Sequence, residues 1–344
     1  MKLTDLIRKN VKTLKPYSSA RDEFKDASAD MVFLDANENP FNSGYNRYPD
    51  PYQSSLKNIL AKKKGVSIDN ILLGNGSDEV LDLVFRVFCE PNVDNVITFP
   101  PTYGMYEVLA NTNAVEVKQV LLTDNFQIDV ETTLEKINKN TKILFVCSPN
   151  NPTANSISSE RIEILLKKFK GIIVIDEAYI DFSNTKSWVS RLKEFKNLIV
   201  AQTFSKAYGM AGIRLGVCYA DKEIIKILNK IKPPYNVNAL TQNQGMLALK
   251  GNSLSSEVKA VLKQRKVLEK ALNKISFVEQ VFPSDANFIL IKVDNANLRY
   301  DQLMHRGIVV RNRSTQPLCK NYLRITVGTP EENTYLIETL NELV

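Results

Sequence analysis

Between residues 50 and 220 the chain repeatedly interrupts an amphipathic helical pattern with short, unbroken apolar runs, of which Ile143-Leu144-Phe145-Val146-Cys147 and Ile172-Ile173-Val174-Ile175 are the clearest. A run without polar alternation must be covered on both faces, which is the condition of a parallel strand inside an α/β sheet. The pattern predicts strands over 95–99, 142–147, 172–175, 198–203 and 215–219, with helices between them that include 78–88, 159–168 and 221–231. Strand and helix alternating in this way make βαβ units. After Lys232-Pro233-Pro234 the pattern changes. A long helix over 255–274 precedes strands expected at 277–282, 287–293, 308–311 and 322–327, and a closing helix starts at Pro330. The expected architecture is a large α/β domain over 41–235, with a mainly parallel mixed sheet flanked by helices, and a smaller α+β domain over 236–344. Residues 1–40 show only a short amphipathic start, and are expected to be an arm that packs on the small domain or on a partner subunit.

Four of the segments next to these strands carry chemistry. In Thr203-Phe204-Ser205-Lys206-Ala207-Tyr208-Gly209 a lysine directly follows a strand, beside a hydroxyl residue, at the carboxyl edge where open α/β sheets bind ligands. A lysine amine there can form a Schiff base with a carbonyl compound such as pyridoxal phosphate, and burial or a neighbouring cation lowers its pKa enough to make it a nucleophile and base. Ser205 and Arg214 offer a hydroxyl and a guanidinium fork to a phosphate. Thirty residues earlier, the strand Ile172-Ile173-Val174-Ile175 ends in Asp176. Its carboxylate reaches the same sheet edge and can pair with a pyridinium nitrogen, which keeps the ring an electron sink. Tyr179 and Asn151, the latter in Cys147-Ser148-Pro149-Asn150-Asn151-Pro152-Thr153, are candidates for hydrogen bonds to a ring oxygen.

The fourth segment, Leu73-Gly74-Asn75-Gly76-Ser77-Asp78-Glu79, leads into a helix, and the free amides of Ser77 and Asp78 at its N-terminus suit an anion. Tyr103, in the loop Pro100-Pro101-Thr102-Tyr103-Gly104, can stack on a pyridine ring. Taken singly, each is as well read as a solvated loop lysine, a turn acid, an Asn-Pro turn or a capped helix start. Their occurrence together with Lys206 favours one site.

These segments resemble the fold-type I pyridoxal-phosphate-dependent aminotransferases along nearly the whole chain. The resemblance is nearer still to the histidinol-phosphate branch, through Leu34-Asp35-Ala36-Asn37-Glu38-Asn39-Pro40, Asn46-Arg47-Tyr48-Pro49-Asp50, Val309-Val310-Arg311-Asn312-Arg313 and Tyr322-Leu323-Arg324-Ile325-Thr326-Val327-Gly328. It implies Lys206 as the Schiff-base lysine, Asp176 as the pyridinium partner, Tyr179 and Asn151 as ring-oxygen contacts and Tyr103 as the stacking aromatic. Ser77, Asp78, Ser205 and Arg214 would hold the cofactor phosphate, joined by Tyr48 reaching across a homodimer. Tyr17, Asn37, Arg311 and Arg324 would contact substrate. The implied reaction is amino transfer between L-glutamate/2-oxoglutarate and imidazole-acetol phosphate/L-histidinol phosphate, in histidine biosynthesis. One residue departs from the family's Asn-Pro-Thr-Gly: Ala154 stands at the glycine, so the backbone there must either avoid a strongly positive φ or accept strain.

The remaining composition narrows the alternatives. The net charge of +7 could point to nucleic acid, but the basic residues are interspersed with acidic ones and the densest runs, 62–64 and 167–170, fall at helix ends. No nucleic-acid partner is expected. The four cysteines are widely spaced, with neither metal-ligand nor disulfide spacing, which points to buried thiols, no metal and a reducing cytoplasm. No stretch nears the roughly 18 apolar residues of a membrane span. Rival readings are another reaction on the same scaffold, such as threonine-phosphate decarboxylation or aromatic amino-acid transamination, and a regulatory sensor built on the fold. The single histidine, His305, is expected at a helix end without a catalytic role.

Overall fold

A computed structural model describes residues 3–17, 32–251 and 253–343. Seven strands, β1 (Ile71–Asn75), β2 (Asn95–Thr98), β3 (Glu116–Gln119), β4 (Thr141–Cys147), β5 (Ile172–Asp176), β6 (Leu198–Thr203) and β7 (Leu215–Ala220), form one sheet in the order β1-β7-β6-β5-β4-β2-β3. The pairs among β6, β5, β4, β2 and β3 are parallel, whereas β7 is antiparallel to both its neighbours. Six strands therefore run one way, and their carboxyl ends share an edge with the start of β7. The expected mixed, mainly parallel sheet is the one observed. Every residue of β5, β6 and β7 is buried, as the unbroken apolar runs require.

Helices α1 (Leu3–Leu6), α2 (Lys9–Thr13), α3 (Ser54–Lys64), α4 (Gly76–Phe88), α5 (Met105–Thr112), α6 (Val130–Lys136), α7 (Ser159–Lys168), α8 (Lys222–Ile231) and α9 (Ala239–Lys250) surround the sheet. Two apolar layers fill its faces, one with Leu144, Ile173, Val200 and Val217, the other with Phe145, Val174, Ile199 and Cys218. Residues that alternate along each strand supply opposite layers, as the pleat dictates. The strand at β1 was not anticipated because Gly74 interrupts it. A Cβ at that position would stand 3.0 Å from Glu79 Oε2, so the glycine lets α4 return close over the strand. β3 is polar and half exposed, a charged edge that carries little hydrophobic signal.

The smaller sheet has the order β10-β11-β9-β8, with β8 (Val278–Val281), β9 (Phe288–Val293), β10 (Arg311–Asn312) and β11 (Tyr322–Thr326) all antiparallel. α10 (Ser253–Leu272), α11 (Ala296–His305) and α12 (Pro330–Glu342) cover it, and α12 opens with a capping box between Thr329 and Glu332. His305 is the last residue of α11. The expected strand 308–311 is shorter than anticipated. Its apolar residue Val310 enters the core beside Leu303, and only Arg311 and Asn312 join the ladder.

Within the chain, the described N-terminal residues pack on helices of the large sheet, where the expectation named the small domain or a partner. Leu6, Ile7 and Val11 join the core under α4 and α8, the Arg8 amide donates to the Val87 carbonyl at 3.0 Å, and Lys230 Nζ donates to the Val11 carbonyl at 2.6 Å. The apolar stripe of that short amphipathic start finds its match on the large domain. Residues 18–31 of the expected arm lie outside the described residues.

Candidate active site

The shared sheet edge opens into a cavity of about 560 Å³. β1 ends at the turn before Ser77 and Asp78, β2 leads into Tyr103, β4 into Asn151, β5 ends at Asp176, and β6 leads into Ser205 and Lys206. Arg214 immediately precedes β7. All eight of these cleft residues, with Tyr179, Arg311 and Arg324, line this one cavity. Eleven of the fourteen candidate residues, far apart in the chain, thus meet in one cavity, nine at the edge of the large sheet and two from the small one.

Asp176 is 3% exposed and accepts two hydrogen bonds, from Tyr106 Oη at 2.9 Å and from the Ala178 amide at 3.1 Å. Burial pushes its carboxyl up to about 6, against the pull of those two donors. No cation lies within ion-pair distance of it among the described residues. A buried carboxylate in that state fits a cationic ligand group. The Lys206 side chain is solvent-accessible at the cleft; partial desolvation there, then the nearby positive charge of Arg324, holds its ammonium below the usual lysine range, with Asp176 pulling the other way. Its Nζ stands 5.6 Å from the centre of the Tyr179 ring. Burial also pushes the Tyr179 phenol above its ordinary range.

The opposite corner is shaped for an anion. Gly76 takes φ +75° and its amide donates to the Arg214 carbonyl at 2.8 Å, while Arg214 itself adopts a left-handed φ of 54°. A Cβ on Gly76 would sit 2.6 Å from Arg214 Nη2, and one on Gly216 would sit 2.2 Å from the Gly76 carbonyl carbon. Two glycines therefore clamp the start of α4 against the start of β7. The amides of Ser77 and Asp78 then lie in the first turn, with no carbonyl one turn back to accept them. Arg214 Nη2 is 3.8 Å from Asp78 Oδ2, and Tyr103 Oη donates to Asp78 Oδ1 at 3.1 Å. Ser205 is fixed through its amide, which donates to Thr203 Oγ1 at 3.1 Å.

The small sheet supplies the facing wall. Arg324 Nη1 donates to Asn151 Oδ1 at 2.5 Å, and its guanidinium lies 5.1 Å from the Phe288 ring centre. Burial, then the charge of Arg313, pushes Arg324 down to about 10. Beneath Asn151, Ala154 takes φ 67°, so the departure from glycine is met by accepting strain. Its methyl group is buried with Tyr179, Phe182 and Phe288, which offsets that strain with apolar contact.

Three candidates are not brought to the cleft within one chain. Tyr17 is 74% exposed. Asn37 and Tyr48 line a separate groove, where the Tyr48 ring stacks on Tyr235 at 4.5 Å. Two residues were missed in the sequence. Tyr106 lies one helical turn past Tyr103 and reads as ordinary core, yet it holds Asp176. Arg313 was quoted within a motif but given no role; only its place two residues from Arg311 hinted that both share a strand face.

An α/β sheet with a cleft lysine, a buried carboxylate and an anion corner at one edge defines an enzyme of amine–carbonyl chemistry that works with a phosphorylated ring cofactor. The family model for aminotransferase class I and II matches residues 21–340. The chain is 60% identical to the histidinol-phosphate aminotransferase of Flavobacterium johnsoniae over 343 residues, covering 99% of this chain and 98% of that one. It is also 60% identical to the enzyme of the same name from Christiangramia forsetii, over 342 residues. Among solved structures, the histidinol-phosphate aminotransferase of Clostridium acetobutylicum superposes with a TM-score of 0.80 at 28% identity, covering 87% of this chain and 91% of that one. The fold is shared with L-threonine-O-3-phosphate decarboxylase from Porphyromonas gingivalis, at a TM-score of 0.73 and 24% identity. The chain belongs to the class I and II aminotransferases.

Proposed function

We propose that the protein transfers an amino group between L-glutamate/2-oxoglutarate and imidazole-acetol phosphate/L-histidinol phosphate, using pyridoxal phosphate. One observation carries the reading: Lys206 and a buried carboxylate, Asp176, with no counter-ion among the described residues, share one cleft with a cluster of arginines. The relatives of the same name, at 60% identity over almost the full chain, support the substrate. Bound at this edge, pyridoxal phosphate supplies a carbonyl for amine exchange and a ring that accepts electrons.

The chain's own residues do the rest. Ser77, Asp78, Ser205 and Arg214 would hold the cofactor phosphate, and Tyr103 would cover the ring face. Asp176 would keep the ring nitrogen protonated, and Asn151 and Tyr179 would donate to the ring oxygen. Lys206, its ammonium held below the usual lysine range, would take the proton from the substrate Cα and hold it for return to the carbon beyond the transferred nitrogen. Arg311 and Arg324, with Tyr17 and Asn37, would bind the substrate's anionic end.

We assign the working unit as a homodimer in which Tyr48 reaches the cleft of the second subunit. Its support is the row of exposed apolar side chains around it, Leu34, Phe41, Tyr45, Tyr48 and Tyr52. A cytoplasmic location rests on four buried, free cysteines. No helix among the described residues is long and apolar enough to cross a membrane.

The test uses holoenzyme and histidinol phosphate alone, without an oxo acid. Release of one equivalent of imidazole-acetol phosphate per cofactor is expected. A decarboxylase would release none, and carbon dioxide from threonine phosphate in its place would overturn the reading.

A further inference from the structure

The face that the small sheet turns towards the cleft carries one more cation than the proposed substrate contacts use. β10 pairs with β11 so that Arg311 lies opposite Arg324 and Asn312 opposite Leu323. The Arg313 amide then donates to the Tyr322 carbonyl at 2.9 Å, which continues the register by one residue. Side chains two apart on a strand, and those directly opposite across a ladder, share a face. Arg311, Arg313 and Arg324 therefore project together, away from the side on which Leu323 is buried, and all three line the cavity.

Such a cluster repels itself, and among the described residues no carboxylate lies within ion-pair distance of any of the three. Arg324 is engaged by Asn151, whereas the side chains of Arg311 and Arg313 make no hydrogen bond among the described residues. Arg313 Nε is buried without an acceptor, and Gln316 Oε1, lining the same cavity, is buried without a donor. Unpaired buried polar atoms are costly, and a guanidinium fork kept without a carboxylate matches an incoming oxyanion. A single carboxylate would be satisfied by Arg324 alone. Three converging guanidiniums match a ligand with more than one negative charge.

We propose that Arg313 is a further specificity-determining residue, which binds the phosphate monoester of the substrate together with Arg311 and so separates phosphorylated from unphosphorylated amines. The proposal rests on the amino-transfer reading for its substrate, but its anion chemistry can be tested apart from it. Three forms of the holoenzyme are compared: unsubstituted, Arg313→Gln and Arg313→Lys, with thermal melting to establish that each is folded. kcat/KM is measured for histidinol phosphate, histidinol and glutamate, and binding of inorganic phosphate is measured by titration calorimetry. Arg313→Gln should lower kcat/KM for histidinol phosphate by about ten- to a hundred-fold, the ratio for one charge-assisted hydrogen bond. Histidinol, which lacks an anionic end, should be little changed; glutamate, whose second carboxylate can reach the same cluster, should lose less than histidinol phosphate, and phosphate affinity should fall with the histidinol-phosphate value. Arg313→Lys, which keeps the charge but loses the fork, should fall between. Equal losses for all three substrates, or phosphate binding that is absent or indifferent to Arg313, overturns the assignment. If phosphate binding needs Arg313 but histidinol phosphate is not a substrate, the proposed function fails while the anion site stands.

Discussion

Removing the Tyr106 hydroxyl should shift the titration of a different residue. Tyr106 is fully buried, stacked on Phe145 at 5.1 Å and edge-on to Tyr103 at 5.6 Å, and its Oη donates to Asp176 Oδ2 at 2.9 Å. Phenylalanine keeps the ring and its packing, so Tyr106→Phe removes little beyond the donor. A hydrogen bond to an ionised group contributes about 1.5–3 kcal/mol. At 1.36 kcal/mol per pKa unit, its loss should raise the Asp176 carboxyl by about one to two units, from a starting point of about 6. In the cofactor-free protein, a carboxyl that is mostly ionised at neutral pH would become half or more protonated.

The stability consequence has a definite sign. A folded-state pKa above the unfolded value of 3.8 means that the folded chain binds the extra proton, so the stability it contributes is complete below 3.8 and is lost as pH rises through about 6. The substitution extends that loss upward by the same one to two units, about 1.4–3 kcal/mol. Carbon-13 carboxyl NMR of aspartate-labelled, cofactor-free protein reads the titration, with Asp176→Asn identifying the resonance. An Asp176 midpoint unchanged by Tyr106→Phe would refute the argument that this hydroxyl holds the carboxylate ionised.

Three further outcomes are expected. Lys206→Ala should abolish turnover and leave the fold intact, because the side chain is exposed in a loop and not part of the core; a borohydride-reducible covalent cofactor in that variant would show that another lysine carries the chemistry. Ala154→Gly relieves a left-handed alanine, worth about 1–2 kcal/mol, but loses one buried methyl group at about 0.8 kcal/mol and frees the unfolded chain by roughly 0.4–1 kcal/mol. Urea unfolding should therefore find it within about 1 kcal/mol of the parent, and a loss well beyond that would mean that the strain estimate is wrong. Mixed Lys206→Ala and Tyr48→Phe subunits should recover activity, since one cleft of each heterodimer carries neither defect; no recovery after demonstrated subunit exchange would remove Tyr48 from the shared cleft.

Much of the large domain was legible because its central strands are buried on both faces, and so announce themselves as unbroken apolar runs that end where the chemistry begins. Asp176 stands out for that reason, since it closes such a run, and Lys206 lies three residues past the end of β6. β1 and α9 were not legible. One contains Gly74, required by the close return of α4, and the other contains Gly245, where a Cβ would approach Leu215 Cδ2 to 2.7 Å. Both glycines serve packing that only the tertiary structure contains. Tyr106 was invisible on the same ground, since its ring satisfies every rule for a core residue and only its hydroxyl reaches the site. Tyr48 and Asn37 sit together in a groove that one chain does not connect to the cleft, so no pattern within the chain would have placed them.

Asn151 belongs to the loop after β4 in the large domain, and Arg324 to β11 in the small one, yet they share one hydrogen bond. An Arg324 variant therefore loses its own contact with substrate and also releases the Asn151 amide to turn. Its kinetic deficit is then a composite, and the effects of changing the two residues should not add. Only a double-mutant cycle, with Arg324→Lys and Asn151→Ala alone and together, would divide the loss between the anion and the loop that the arginine holds still.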